Sequence, residues 1–216
     1  YPTHGLGPIA QIMGINRGDR FDYLTSMSTK QAGLSLYAED KFGAGSPEAL
    51  AEYKLGDMNT TLIRTVNGRT LMVQHDTTSP RPYDRLHLIS GTKGMARKWP
   101  RPAIALEPNA HQFLKPEAYD QLIAQYEHPL VKQIGEKAKK VGGHGGMDFI
   151  MDYRLIYCLR NGLPLDQDVY DAAAWSCIVP LSEQSVNQRS GSVDIPDFTR
   201  GAWKTARPWP VVTVED

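Results

Sequence analysis

The clearest structural signal lies at residues 59–76, which read NTTLIRTVNGRTLMVQHD. Two runs rich in β-branched residues flank the dipeptide Asn67-Gly68, the pair that a type I′ turn between antiparallel strands favours. The stretch therefore predicts a β-hairpin. Since loop length sets strand register, a two-residue loop would place Val66 opposite Arg69 and Leu62 opposite Val73.

Working outward from the hairpin, alternating apolar and polar residues predict further strands. A strand is expected at 21–29, and two more are expected at 83–90 and 94–98. Together with the hairpin they predict an antiparallel meander. A short helix is expected at 9–15, and the glycine-containing stretch 30–57 is interpreted as a long loop with one helical turn.

After Lys115 the pattern becomes helical. Apolar residues at intervals of three and four predict helices from Pro116, Leu130 and Met147, and a fourth that Asp166 would cap. The helix from Met147 carries two apolar stripes, so it is expected to be buried on most sides. The tail from Asn187 is polar and is interpreted as loop with short extended pieces.

This order of elements predicts the α+β class, with an open, mainly antiparallel sheet and helices packed on one face. The other face of such a sheet needs a partner.

The 216 residues suit one domain with a single core. Lys+Arg and Asp+Glu number 24 each, so no basic surplus favours nucleic-acid binding. No apolar run is long enough to predict a membrane span.

Motifs for several common chemistries are missing. The glycines at 43–45 and 142–146 do not follow a predicted strand, so neither run fits a dinucleotide fingerprint. The six histidines form no metal-binding spacing, and 190–192 lacks the spacing of a serine nucleophile elbow. His144 and Asp148 are weaker site candidates, because a position near a helix start explains them nearly as well.

Three long segments carry a resemblance to a known family. They are YPTHGLGP at 1–8, QHDTTSPRPYDRLHLISGTKG at 74–94 and HGGMDFIMDYRLIYCL at 144–159. These segments resemble the C-terminal domain of glycoside hydrolase family 109. Members of that family are NAD-dependent α-N-acetylgalactosaminidases built on the Gfo/Idh/MocA oxidoreductase scaffold.

The resemblance implies that residues 1–216 form the substrate-binding and oligomerisation domain of a two-domain enzyme. NAD would be bound mainly by an N-terminal Rossmann domain that is missing from this chain, and the fragment alone would be inactive. The implied partners are an N-acetylgalactosamine-type glycoside, the chain's own Rossmann domain and a second copy through the sheet. No nucleic acid, membrane or metal is expected, and the parent protein could be exported.

The family's chemistry is implied in the same way. The sugar is oxidised at C3, the leaving group departs from C1, water adds, and reduction follows with retained configuration. Such a site needs hydrogen-bond donors and a proton shuttle in place of a carboxylate pair. His4 is the expected catalytic residue. The expected substrate contacts are Tyr1, Pro2, Thr3, His4 and Tyr83, and Tyr1 is also expected to contact the cofactor.

Two other interpretations stay open. The same scaffold could belong to a sugar or inositol dehydrogenase that releases its oxidised product, in which case NADH would accumulate. Alternatively, the chain could be a non-catalytic sugar-binding or oligomerisation module. A glycine fingerprint encoded upstream of Tyr1 would favour an enzyme over such a module.

Overall fold

The computed structural model describes residues 2–214. The elements in chain order are α1 Thr3–Ile12, β1 Phe21–Ser28, α2 Gly33–Phe42, α3 Pro47–Leu50, β2 Met58–Thr65, β3 Thr70–Asp76, β4 Leu88–Gly91, β5 Gly94–Arg97, β6 Ala103–Leu106, α4 Pro116–Tyr126, α5 Pro129–Val141, α6 Met147–Asn161, α7 Val169–Ser176, α8 Ile178–Asn187 and β7 Val193–Asp194. Short 3-10 turns lie at His144–Gly146 and Ala202–Lys204. The α+β class is confirmed.

The chain divides into two compact units. The first contains the chain up to Arg85 together with Val169–Arg207, and the second contains Leu86–Asp168 and the chain from Pro208 onward. Each unit has its own cluster of buried apolar side chains. The expectation of a single core was therefore wrong.

In the first unit, four antiparallel strands form a sheet in the order β3-β2-β1-β7. Residues of α1, α7 and α8 join the inner face of this sheet in one apolar cluster. Its fully or nearly buried members include Leu6, Phe21, Leu24, Ile63, Trp175 and Ile178. Helices thus pack on one face of the sheet, as predicted.

The hairpin is confirmed, but its predicted register was wrong by one residue. Ile63 faces Leu71, and the N–H of Thr65 donates to the carbonyl of Arg69 at 2.9 Å. The loop therefore has three residues, and Gly68 supplies the positive φ of 85° that such a loop needs.

A tertiary contact accounts for the longer loop. The backbone N–H of Asn67 donates to Oδ1 of Asp19 at 3.2 Å, and its side-chain amide donates to the Gly18 carbonyl at 2.8 Å. The Asp19 side chain is fully buried and also lies 3.1 Å from Nη1 of Arg69. Because these partners lie far from the hairpin in sequence, the turn dipeptide alone could not reveal them.

Other boundaries also differ from the sequence-based predictions. Helix α1 begins at Thr3, ahead of the expected 9–15, and α2 occupies part of the stretch 30–57 that was expected to be loop. In α1, burial of Leu6 and Ala10, one turn apart, outweighs the helix-breaking tendency of its glycines and of Pro8. The strand expected at 83–90 begins only at Leu88.

Strand β1 confirms the prediction at 21–29 but contains a bulge. The register with β2 shifts between Phe21 and Tyr23. Beyond the shift, Leu24 and Ser26 are buried, whereas Met27 is 66% exposed. Simple alternation would have put Phe21 and Met27 on one face, and the extra residue of a bulge reverses that assignment.

The second unit contains a three-stranded antiparallel sheet in the order β4-β5-β6 and the helices α4, α5 and α6. Its apolar cluster is small, with Leu130 and Ile134 of α5 packed against Val214 and aromatic residues of α6. The start of α6 at Met147 is confirmed. Its predicted burial is wrong, since Met151 is 60% exposed and Leu159 is 66% exposed.

Arg154, the buried arginine of α6, binds a residue near the end of the described chain. Nε of Arg154 lies 3.0 Å from Oδ2 of Asp166, and Nη1 donates to the Thr213 carbonyl at 3.1 Å. Asp166 was predicted to cap the next helix, but α7 begins only at Val169, and the Asp166 carboxylate binds Arg154 instead.

Among residues 2–214, no helix is long and apolar enough to cross a membrane.

A buried ion pair joins the two sequence segments of the first unit. Arg17, in the turn after α1, binds Asp171 of α7 through two parallel hydrogen bonds of 2.8 and 2.9 Å. The amide of Asn16 donates to the same carboxylate at 3.2 Å. The side chains of Arg17 and Asp171 are only 6% and 1% exposed.

We expect Asp171→Ala to destabilise the protein by about 3–5 kcal/mol, because the buried Arg17 guanidinium would lose both hydrogen bonds to this carboxylate. The measurement is thermal or denaturant unfolding of the full-length protein. The control is Glu136→Ala, which removes a surface ion pair with Lys139 and should leave the midpoint unchanged. Equal midpoints for wild type and Asp171→Ala would show that this pair does not hold the unit together.

Candidate functional site

The segment expected to contact substrate forms the first turn of α1. Tyr1 lies outside the described residues. The carbonyl of Pro2 accepts hydrogen bonds from the N–H groups of Gly5 and Leu6 at 3.2 and 2.8 Å, so Thr3 and His4 are the first helical residues. His4 is exposed, and Pro2 and Thr3 are partly exposed. These side chains are therefore accessible to a ligand.

Close packing with α7 sets the position of α1. A Cβ added at Gly7 would lie 3.2 Å from Cζ3 of Trp175, whereas a Cβ at Gly5 would meet nothing within 4 Å. Trp175 is 7% exposed. The absence of a side chain at Gly7 thus allows the helix that carries His4 to rest directly on the indole ring.

Tyr83 also belongs to the first unit but lies outside any helix or strand, between β3 and β4. Its side chain is 67% exposed. Nε of Arg85 donates a short hydrogen bond to the Tyr83 hydroxyl, and the guanidinium carbon lies 5.4 Å from the ring centre. The tyrosine is therefore exposed to ligand yet held by a cation.

Asp76 anchors the start of the loop that carries Tyr83. Its Oδ1 accepts hydrogen bonds from the backbone N–H groups of Thr78 and Ser79 at 3.3 and 3.0 Å, and its Oδ2 lies 3.4 Å from Nη1 of Arg81. Burial raises the pKa of Asp76, but these hydrogen bonds and the Arg81 charge outweigh it and hold the pKa below 3.8.

Asp57 supplies a second anchor for the same loop. It accepts hydrogen bonds from the N–H of Gly33 at 2.9 Å and from the hydroxyl of Thr78 at 3.0 Å. The hydrogen bond from Ala32 is the main cause of its lowered pKa. Both anchors depend on an ionised carboxylate. They are therefore intact above pH 3.8, the ordinary aspartate value, and weaken only as the pH falls through the lowered values.

The weaker candidates His144 and Asp148 lie together in the second unit. Nδ1 of His144 is 2.8 Å from Oδ2 of Asp148, and the two side chains are 75% and 46% exposed. Asp148 also lines a surface groove of about 420 Å³ together with Asp152, Phe149 and Tyr153. Asp148 lies in the first turn of α6, and its contact with His144 joins that turn to the residues just before the helix.

Sequence reasoning missed three residues that support the candidate site, namely Arg85, Asp57 and Trp175. Arg85 stands two positions after Tyr83, but nothing in the sequence shows that its side chain folds back. The partners of Asp57 and Trp175 lie far away along the chain. Only the three-dimensional structure could therefore identify these contacts.

The described residues contain two free cysteines and no candidate metal site. Cys158 and Cys177 are free, and burial raises the pKa of the Cys177 thiol to about 11, which keeps it protonated at neutral pH. Within the part of the chain that the structure describes, no group of three or more His, Cys, Asp or Glu side chains could hold a metal ion.

Comparison with known proteins decides the family. Residues 1–205 match the family model described as "Glycosyl hydrolase 109, C-terminal domain". The chain belongs to glycosyl hydrolase family 109. The resemblance carried by the three sequence segments is thereby confirmed.

Individual family 109 proteins are close relatives. The chain is 58% identical over 204 residues to a protein from Bacteroides fragilis named alpha-N-acetylgalactosaminidase, covering 94% of this chain and 48% of that protein. It is 57% identical to glycosyl hydrolase family 109 protein 2 of Phocaeicola vulgatus, covering 94% and 49%. The chain thus spans about half the length of these relatives.

A solved structure shares the fold. The crystal structure of an oxidoreductase domain protein from Kribbella flavida matches with a TM-score of 0.51 and 13% sequence identity, over 83% of this chain and 47% of that one. At this identity the likeness concerns the fold alone. It agrees with the α+β architecture of antiparallel sheets and helices.

We expect Gly7→Ala to lower the thermal midpoint of the full-length protein, because the new methyl group would press against Trp175. Gly5→Ala is the matched control in the same helix. It should be neutral or stabilising by roughly 0.5–1 kcal/mol, since alanine favours helix more than glycine does. If both substitutions shift the midpoint equally, the contact between α1 and Trp175 does not limit stability.

Proposed function

We propose that this chain is the substrate-binding domain of an NAD-dependent retaining glycosidase that cleaves terminal α-N-acetylgalactosamine. The observation that carries the proposal is the identity of 58% with the Bacteroides fragilis alpha-N-acetylgalactosaminidase across 94% of the chain. The structure contributes two exposed side chains of suitable chemistry, His4 and Tyr83, in one compact unit.

The described residues do not by themselves form a Rossmann-type NAD site. A dinucleotide site of the Rossmann type needs a parallel strand, a glycine turn and a helix, whereas every paired strand of both sheets is antiparallel. We therefore assign no NAD contact to residues 2–214. On our proposal, an N-terminal Gfo/Idh/MocA-type domain binds the cofactor, which supplies reversible oxidation of the sugar at C3.

The residues of this chain would act on the sugar. Histidine is the side chain that most often acts as a general acid or base in catalysis, so we assign His4 the proton transfer that accompanies loss of the C1 leaving group and addition of water. Tyr83 offers a hydroxyl for hydrogen bonding and a ring for stacking. Pro2 and Thr3 complete the contact at the start of α1, and Tyr1 is assigned to the same contact by the family resemblance.

The outer face of the four-stranded sheet supports a further part of the proposal. Met27, Leu62 and Met72 on this face are each more than half exposed. Side chains of this size on a sheet face commonly mark a contact surface. We propose that this face contacts a second copy of the protein.

The proposed reaction can be tested with an aryl α-N-acetylgalactosaminide and the full-length protein in deuterated water. We expect cleavage with NAD bound, loss of cleavage after NAD is removed, and deuterium at C2 of the released sugar. Cleavage without deuterium at C2 would overturn the oxidative route. NADH accumulation on free sugars without cleavage would instead favour the alternative that the protein is a dehydrogenase. The fold that this chain shares with an oxidoreductase domain protein is compatible with that alternative.

We expect His4→Ala in the full-length protein to lower turnover at least roughly tenfold, the low end of what a positioned proton-transfer group contributes. Initial rates with the aryl glycoside measure the effect. His111→Ala, which changes an exposed histidine of the second unit, is the control and should retain wild-type rates. Unchanged kinetics for His4→Ala would remove His4 from the proposed site.

A further inference from the structure

The interactions of Arg85 differ from those of the other well-anchored arginines. Arg17, Arg69, Arg81 and Arg154 each lie within ion-pair distance of a carboxylate. Arg85 instead donates from Nε to the Tyr83 hydroxyl and places its guanidinium near the face of the Tyr83 ring. Within residues 2–214, it makes no other hydrogen bond and no ion pair.

These two contacts restrict the tyrosine in different ways. The contact with the ring face limits its rotation, and the Nε hydrogen bond fixes the position of the hydroxyl oxygen. Arg85 is only partly exposed, whereas Tyr83 is 67% exposed and lies in a segment without helix or strand. Since no helix or strand fixes the backbone at Tyr83, the contacts with Arg85 restrict the position of its side chain.

The direction of the hydrogen bond has a chemical consequence. A guanidinium can only donate, so the Tyr83 oxygen must accept from Arg85. The hydrogen of this hydroxyl therefore takes no part in the contact with Arg85. A positively charged donor on the oxygen also polarises the O–H bond, which makes the hydroxyl a better donor to a ligand oxygen.

We propose that Arg85 is a positioning residue for the sugar, which holds the Tyr83 ring and directs the Tyr83 hydroxyl as a donor toward an oxygen of the bound sugar. This inference rests on the proposed function, because it takes the sugar to be the ligand of Tyr83. The role is one of binding geometry, so it affects sugar affinity more than the chemical step.

Kinetics of the full-length protein with the aryl glycoside test the proposal. Arg85→Met should raise KM about tenfold, the scale expected for one charge-assisted hydrogen bond, with kcat changed less than about twofold. Arg85→Lys should resemble Arg85→Met, because lysine keeps the charge but lacks the planar N–H geometry. Arg97→Met is the matched control, since Arg97 also lies over an aromatic ring, Phe113, but in the second unit.

A double-mutant cycle separates positioning from a direct effect of Arg85. In a Tyr83→Phe background the hydroxyl acceptor is gone, so Arg85→Met should change KM less than about twofold. An equal effect of Arg85→Met in both backgrounds would overturn the proposal, as would restoration of wild-type KM by Arg85→Lys. A fall in kcat with unchanged KM would also contradict it.

A readout that does not need activity distinguishes this proposal from the proposed function. In NMR spectra of the full-length protein, the Arg85 Nε–H should be protected from solvent exchange and lose that protection in Tyr83→Phe. Equal exchange in both proteins would overturn the pairing even if the enzyme is active. Protection with an inactive wild type would support the pairing but overturn the proposed function and, with it, the sugar role of Arg85.

Discussion

The first unit depends on the buried ion pair between Arg17 and Asp171. Its two residues come from segments that more than 150 positions separate, and the pair joins them inside the protein. Burying two charges is costly, but here both partners are hydrogen-bonded in a two-point arrangement, which compensates much of that cost. Two residues after Arg17, the buried Asp19 carboxylate binds the hairpin through Asn67 and Arg69.

This network determines where α1 lies, and thereby where the candidate site can form. Its charged groups fix the C-terminal end of the helix, and Trp175 packs against its middle at Gly7. The N-terminal end remains accessible and carries Thr3 and His4. A helix whose C-terminal end is fixed and whose N-terminal end is exposed is a suitable support for residues that must contact a ligand.

Much of the fold could be predicted from local sequence. The strand at 21–29, the hairpin and the helix starts at Pro116 and Met147 follow from periodicity and turn chemistry, and these act over a few residues. The hairpin register, the bulge in β1 and the early start of α1 depend on partners elsewhere in the chain. The exposure of α6 was unpredictable for a related reason, since periodicity identifies an apolar stripe but not what covers it.

The candidate site shows the same division. The segment YPTH at 1–4 and Tyr83 could be named by resemblance to the family, and His4 suits proton transfer by its chemistry alone. The sequence did not show that Thr3 and His4 begin a helix, nor that Arg85 folds back onto Tyr83. Both features depend on contacts and backbone conformation that no short motif encodes.

The most direct test of this account is a crystal structure of the full-length protein with N-acetylgalactosamine bound. The account predicts the sugar at the start of α1, with polar atoms of His4 and Tyr83 within about 3 Å of its oxygens, the usual hydrogen-bond distance. A sugar bound in the second unit, or in the first unit away from both residues, would contradict the central claim.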